Sequence, residues 1–300
     1  MQPRLTPELD DDGDDATLAY ELEMRSAERR WITQERAAVS SAARKAPRDA
    51  DGFIAWFERL KNNGPGRLHP LFSWLATSAT VDEMRWFLSQ ERGAEAGFED
   101  LVALTQVRMP AGPKLAMTRN FWDEMGQGHA AGVHASMLDQ LATQLRLGPT
   151  ELVWESLALS NTMTTLATNR DYAYQSVGAL GVIELTEPGR ARLVDDGLVR
   201  LGIEGTARRY FALHATVDVK HAAAWTREVL RPLIVAEPRC AQLIAEGALL
   251  RLAAGARCFA RYEAELQTSA KLETVALQLV RPPATSIAGL ALDRHTAPLM

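Results

Sequence analysis

Residues 210–230 read Y-F-A-L-H-A-T-V-D-V-K-H-A-A-A-W-T-R-E-V-L, and this stretch limits the fold more than any other. On a helix of about 3.6 residues per turn, His214, Asp218 and His221 fall at i, i+4 and i+7, in one stripe. Phe211, Val217 and Trp225 flank the stripe with apolar surface. Two imidazoles and a carboxylate on one helical face are ligands for a transition metal. The competing reading is two incidental histidines beside a solvated aspartate. Three ligands do not complete a site, so other helices must supply the rest.

The remaining chain offers helices and little else. Apolar residues recur at helical spacing from Thr17 to about Lys45, from Phe53 to Lys61 and from Leu71 to Ala76. Thr80 and Glu83 form a capping box ahead of a helix from Val81 to about Arg108, which M-P-A-G-P ends. Further helices are expected over Lys114 to about Met125, Ala130 to Leu145, Glu151 to Ala167 and Asp171 to Thr186. Pro188 and Gly189 break the pattern before a short helix, Arg190 to Leu201. The small residues of A-Y-Q-S-V-G-A-L-G-V-I-E-L permit close helix contact. A last long helix runs from Arg239 to about Leu266. No alternating strand pattern occurs. The chain is therefore expected to be all-α, with one helical domain over 17–266, a disordered acidic lead-in over 1–16 and a loosely ordered tail over 267–300.

Composition narrows the partners. With 300 residues, 47% apolar, and a formal charge of −5, the chain can bury a large core and offers no basic block for nucleic acid. No run of 18 apolar residues is present, so no membrane span is expected. Cys240 and Cys258 sit in apolar helical context, which argues against a disulfide framework and for a reducing cytoplasm. The N-terminal residues lack the apolar core of a signal peptide. An exposed helix face can support a homodimer.

Core helices exclude carboxylates unless something pairs with them, so acids within apolar stripes are the candidates to complete the site. Glu184 is the first charge after Asp171, and reads equally as a ligand or as an exposed acid near a helix end. Glu187 reads as solvated. In F-W-D-E-M-G-Q-G-H-A-A-G-V-H, Glu124 and His134 would lie about 80° apart on an unbroken helix. They can face one centre only if the chain bends at the glycines; Asp123 accompanies them, and His129 reads as exposed. In Q-E-R-G-A-E-A-G-F-E-D, Glu95 is the preferred inward acid, with Glu91 and Glu99 as alternatives. A set of carboxylates and histidines from four helical regions suits two iron or manganese ions in a helical bundle. It does not suit structural zinc, and no E-x-x-H pair of the ferritin-like kind occurs.

E-x9-H at Glu124 to His134, Glu184, and H-x3-D-x2-H from His214 to His221 resemble the heme-oxygenase-like diiron oxidases and oxygenases and the related iron-containing redox enzymes. The fragments N-F-W-D-E-M-G-Q-G and Q-E-R-G-A-E-A-G-F carry the same resemblance, which spans roughly residues 69–250. It implies a bundle of about seven helices around two non-haem ferrous ions. One iron would take Glu124, His134 and an acid of the preceding helix, with Glu95 preferred; the other would take His214, Asp218 and His221. Glu184 would lie near or bridge the two. The resemblance also implies O₂ activation to hydroxylate, N-oxygenate or cleave a small metabolite such as an amino acid or fatty acid derivative. Phe121, Trp122, Val177 and Phe211 are candidates for water-excluding walls, and Lys220, Arg170 and Arg209 for a substrate carboxylate. The alternatives are a cofactor-independent or thiaminase-like enzyme on the same bundle, or a non-catalytic helical protein.

Overall fold

The computed structural model describes residues 15–280, and every regular element among them is helical. The lead-in up to residue 14 and the tail from residue 281 lie outside the described residues. By backbone contact the chain divides into a unit over 1–263 and a second over 264–300. The first carries all that follows; of the second, the described part is the end of the last helix, which continues to Val280 rather than stopping near Leu266.

Local chemistry sets the helix ends. Asp49 caps α2 (Ala50–Asn63) by accepting from the Gly52 amide, after α1 (Asp15–Ala43) has ended. His69 caps α3 (Pro70–Thr77) in the same manner, with Pro70 at the first turn. The expected capping box is present at α4 (Val81–Ala94), where Thr80 and Glu83 satisfy each other's backbone amides.

The single helix expected from Val81 to Arg108 is in fact two. Gly97 adopts φ +72° between α4 and α5 (Phe98–Thr105), a left-handed conformation open to glycine at little cost. Arg170 then closes the far end of α5 by donating to the carbonyls of Leu104, Thr105 and Val107.

After α6 (Ala111–Glu124) the chain makes two short 3₁₀ turns before α7 (His134–Gln144), so the helix expected from Ala130 begins later. α8 (Trp154–Thr168) leads into α9 (Ala173–Arg200), which passes straight through Pro188. A mid-helix proline costs about 3 kcal/mol. Leu185, Ala191, Val194 and Leu198 are buried along the same helix, and each large apolar side chain returns about 1.5–3 kcal/mol. Burial wins, and the expected break does not form.

α9 is buried on almost all sides, packed against α2, α3, α5, α8 and the following helix α10 (Gly205–Ala224). α10 runs into a π-helical turn, Trp225–Leu230, then α11 (Arg231–Ala236) and α12 (Cys240–Val280). Trp225 fastens that turn to α9 by donating to the Val177 carbonyl at 3.2 Å. The small residues of α9 do allow close contact: a Cβ on Gly178 would lie 1.9 Å from the Ile244 carbonyl oxygen of α12.

Candidate metal centre

Four helices bring titratable groups to one buried place. Glu124 ends α6 and His134 begins α7, with a pinched loop between them. Gly126, Gln127 and Gly128 all take positive φ there, and Met125 bridges to Val133. Gly126 and Gly132 pack backbone to backbone, where a Cβ on Gly126 would meet Gly132 at 2.3 Å. The loop thus turns both side chains toward one point, and Glu124 Oε2 lies 2.5 Å from His134 Nδ1. His134 Nδ1 is also 3.1 Å from His214 Nε2 of α10. The other oxygen, Glu124 Oε1, faces His221 Nδ1 at 3.9 Å, and Glu184 Oε2 of α9 faces the same nitrogen at 3.5 Å.

Two groups result, Glu124–His134–His214 and Glu124–Glu184–His221, each with ligand atoms within 4.8 Å of one another and all buried. Asp218 Oδ1 lies 3.7 Å from His221 Nδ1. Six of the seven candidates read from the sequence therefore meet here. Glu95 does not join them. It follows α4 as its cap, and its carboxylate accepts from the Gly97 amide at 3.1 Å. More than a third of its surface is accessible, but that surface opens on the central cavity and an adjoining groove. Poor hydration there, followed by the like charges of Glu99 and Glu91, raises its pKa to about 7.

Neighbouring groups orient the candidate ligands. Asn120 donates to Glu184 Oε1 at 2.6 Å. His214 Nδ1 donates to the Tyr210 carbonyl at 2.7 Å, which leaves Nε2 as a lone pair toward the cluster. His221 Nε2 lies 3.2 Å from Asp123 Oδ2, so its Nδ1 points inward. Asp123 thus supports a candidate ligand from behind. Backing of a ligating imidazole by a carboxylate or carbonyl is what metal sites use to fix the ring and its tautomer.

The electrostatics are those of acids held together without enough positive charge. Burial, only partly offset by His214, pushes Glu124 up to about 8. Asp218 is held well above the carboxylate range by burial and then by Glu184. Burial lowers His134 to about 4, so it is neutral near pH 7. For His221, burial is outweighed by Glu184 and Asp123, and its pKa rises to about 9. Two inward atoms, Asp218 Oδ1 and His221 Nδ1, are buried with no hydrogen-bond partner. Such atoms cost about 1–3 kcal/mol each unless something completes them. Clustered hard oxygens and imidazoles with unsatisfied inward atoms fit a first-row metal such as iron or manganese.

A cavity of about 110 Å³ adjoins the cluster, walled by Phe98, Leu159, Met163 and Ile183 among others. The expected walls differ: Trp122 is 52% exposed, and Phe121, Val177 and Phe211 do not border the cavity. The expected anchors differ too. Lys220 is exposed, Arg170 caps α5, and Arg209 donates to the Ala131 carbonyl. Glu187, expected in solvent, is buried and held by Arg190. Arg190 also pairs with Glu91, which takes that acid out of contention as a free ligand. Cys240 and Cys258 are free and buried and do not line the cavity, which leaves a thiol nucleophile without access to it.

Among solved structures, the chain is similar to a CADD-like protein of unknown function from Nostoc punctiforme. Two crystal structures of it, at 2.00 and 1.35 Å resolution, align with TM-scores of 0.52 and 0.51 at 17% and 18% identity. They cover 80% and 81% of this chain and 99% and 97% of that one. At such identity the likeness establishes the shared all-α fold. No curated protein matches the sequence. No helix among the described residues is long and apolar enough to cross a membrane. The sequence description of the iron-containing redox enzymes matches residues 85–256, a segment that contains all seven candidate ligands, and the chain belongs to that family.

Proposed function

We propose that the protein is a non-haem diiron enzyme that activates O₂ to oxidise a small metabolite. The observation that carries this reading is Glu124, whose two oxygens face two different buried ligand groups, as a carboxylate bridging two ions requires. Glu124, His134 and His214 would hold one ion, and Glu124, Glu184 and His221 the other, with Asp218 beside the second. Two ferrous ions held there would supply electrons to O₂ and so oxidising power toward a neighbouring substrate. Three buried carboxylates leave a pair of dications one negative charge short of neutrality. Glu99 or Glu95, both bordering the cavity, would supply a fourth.

The protein's own groups do the rest. Neutral His134 and His214 ligate without adding charge, and Asn120 and Asp123 hold Glu184 and His221 in place. Apolar walls limit water beside the centre, and the cavity's size restricts the substrate to a small molecule. Protein from iron-supplemented cells should carry about two irons per chain. The diferrous form should consume O₂ with a transient visible absorption. Iron content near zero that ferrous iron and O₂ cannot raise would overturn the proposal.

A further inference from the structure

Two arginines face the cavity, and they differ sharply. Arg190 is saturated: Nε and Nη2 donate to Glu187 at 2.9 and 2.8 Å, and Nη1 donates to Glu91. Arg251 of α12 borders the same cavity, yet among the described residues no carboxylate, carbonyl or ring reaches its guanidinium. The residue is half-buried rather than sealed in the core. Gly255, one turn further along α12, leaves room for the head group, for a Cβ there would lie 2.7 Å from Arg251 Nη1. Arg67 and Arg190 add positive charge nearby, partly offset by Glu187 and Glu91, and the Arg67 Nε is already committed to the Lys61 carbonyl.

A guanidinium presents a planar fork of donors that matches a carboxylate. Holding one half-buried and unpaired is costly unless a guest completes it. We infer that Arg251 anchors the carboxylate of a small organic acid in the cavity beside the metal centre. The space decides the size of that acid. A cavity of about 110 Å³ is smaller than one of about 150 Å³ that holds benzene, so the part of the guest buried beyond its carboxylate is no larger than a benzene ring. The buried part is therefore that of a short carboxylate, such as one of the amino acid class.

This inference rests on the diiron reading for its catalytic meaning but is tested without iron. Acetate, butyrate and benzoate, with benzamide as the uncharged isostere, are titrated by calorimetry into metal-free wild type, Arg251→Met and Arg251→Lys. Circular dichroism checks that all three are folded. At least one carboxylate should bind wild type and weaken about tenfold or more in Arg251→Met, with part of the affinity kept by Arg251→Lys; benzamide should bind far less well than benzoate. Failure of all three acids to bind wild type at millimolar concentration overturns the inference. Binding to Arg251→Met within about twofold of wild type does so as well, and so does equal affinity for benzamide. Ferrous loading of the same proteins separates the two readings. Normal iron content with Arg251-independent binding removes the subsite alone, whereas Arg251-dependent binding without iron uptake removes the diiron reading alone.

Discussion

Glu124 and His134 lie ten residues apart in sequence, yet Glu124 Oε2 and His134 Nδ1 are 2.5 Å apart across a loop in which Gly126 and Gly132 touch backbone to backbone. Gly126→Ala would put a Cβ 2.3 Å from the Gly132 carbonyl carbon at a φ of +61°. Strain of about 1–3 kcal/mol or more must open the loop and part the two candidate ligands. We expect a lower melting temperature and at least half the iron lost. Gly112→Ala, whose Cβ would meet nothing within 4 Å, should leave both unchanged. Metal analysis with thermal unfolding of both variants checks this.

Asp218 should show opposite effects with and without metal. Its Oδ1 is buried and unpartnered, so Asp218→Ala removes a group that costs the metal-free protein free energy. The metal-free variant is expected to unfold at the same or a higher temperature than wild type, with helicity intact. Iron content should fall to about one per chain. A purely structural aspartate would instead lower stability and leave iron untouched.

Glu124 makes the metal-free protein sensitive to pH. Its folded pKa, about 8, is above the unfolded value of 4.5, so the folded state holds a proton that the unfolded state releases between those values. Stability from this group is therefore full below about pH 4.5 and is lost as pH rises through 8. The loss is of the order of a few kcal/mol, since each tenfold difference in proton affinity between the two states corresponds to about 1.4 kcal/mol. Glu124→Gln should flatten that decline and raise the melting temperature at pH 8. With metal present the sign reverses, because binding must displace the proton and strengthens as pH rises.

Much of the molecule is legible in its sequence, and the parts that are not share a physical cause. Periodicity gives the all-α class, and the 214–218–221 spacing places three candidate ligands on one buried face of α10. The same local reasoning breaks α9 at Pro188 and runs α4 through Gly97. Burial overrides the first, and a left-handed glycine decides the second; neither outcome is written in local propensity. Arg190 and Arg251 stay hidden because an arginine in an apolar helix looks like a solvated one until its neighbours are known. Asn120 escapes for a similar reason: its value lies in a 2.6 Å bond to Glu184, 64 residues away.

The broken helix also bears on the fourth carboxylate. Because the chain turns at Gly97, Glu91, Glu95 and Glu99 do not share one helical face, and each has a different fate. Glu91 is paired with Arg190, so Glu91→Gln should cost stability by about 3 kcal/mol without direct effect on iron. Glu95 is tied to the Gly97 amide. Glu99 sits in the first turn of α5 on the cavity wall, and its charge acts on both Glu124 and His134. Glu99→Gln keeps the size of the side chain and removes only the charge. It is expected to lower iron from about two per chain toward one, while Glu95→Gln keeps the wild-type content. Iron analysis of the three variants, each compared with its own thermal stability, distinguishes the ligand from its neighbours; the reverse pattern would return the role to Glu95.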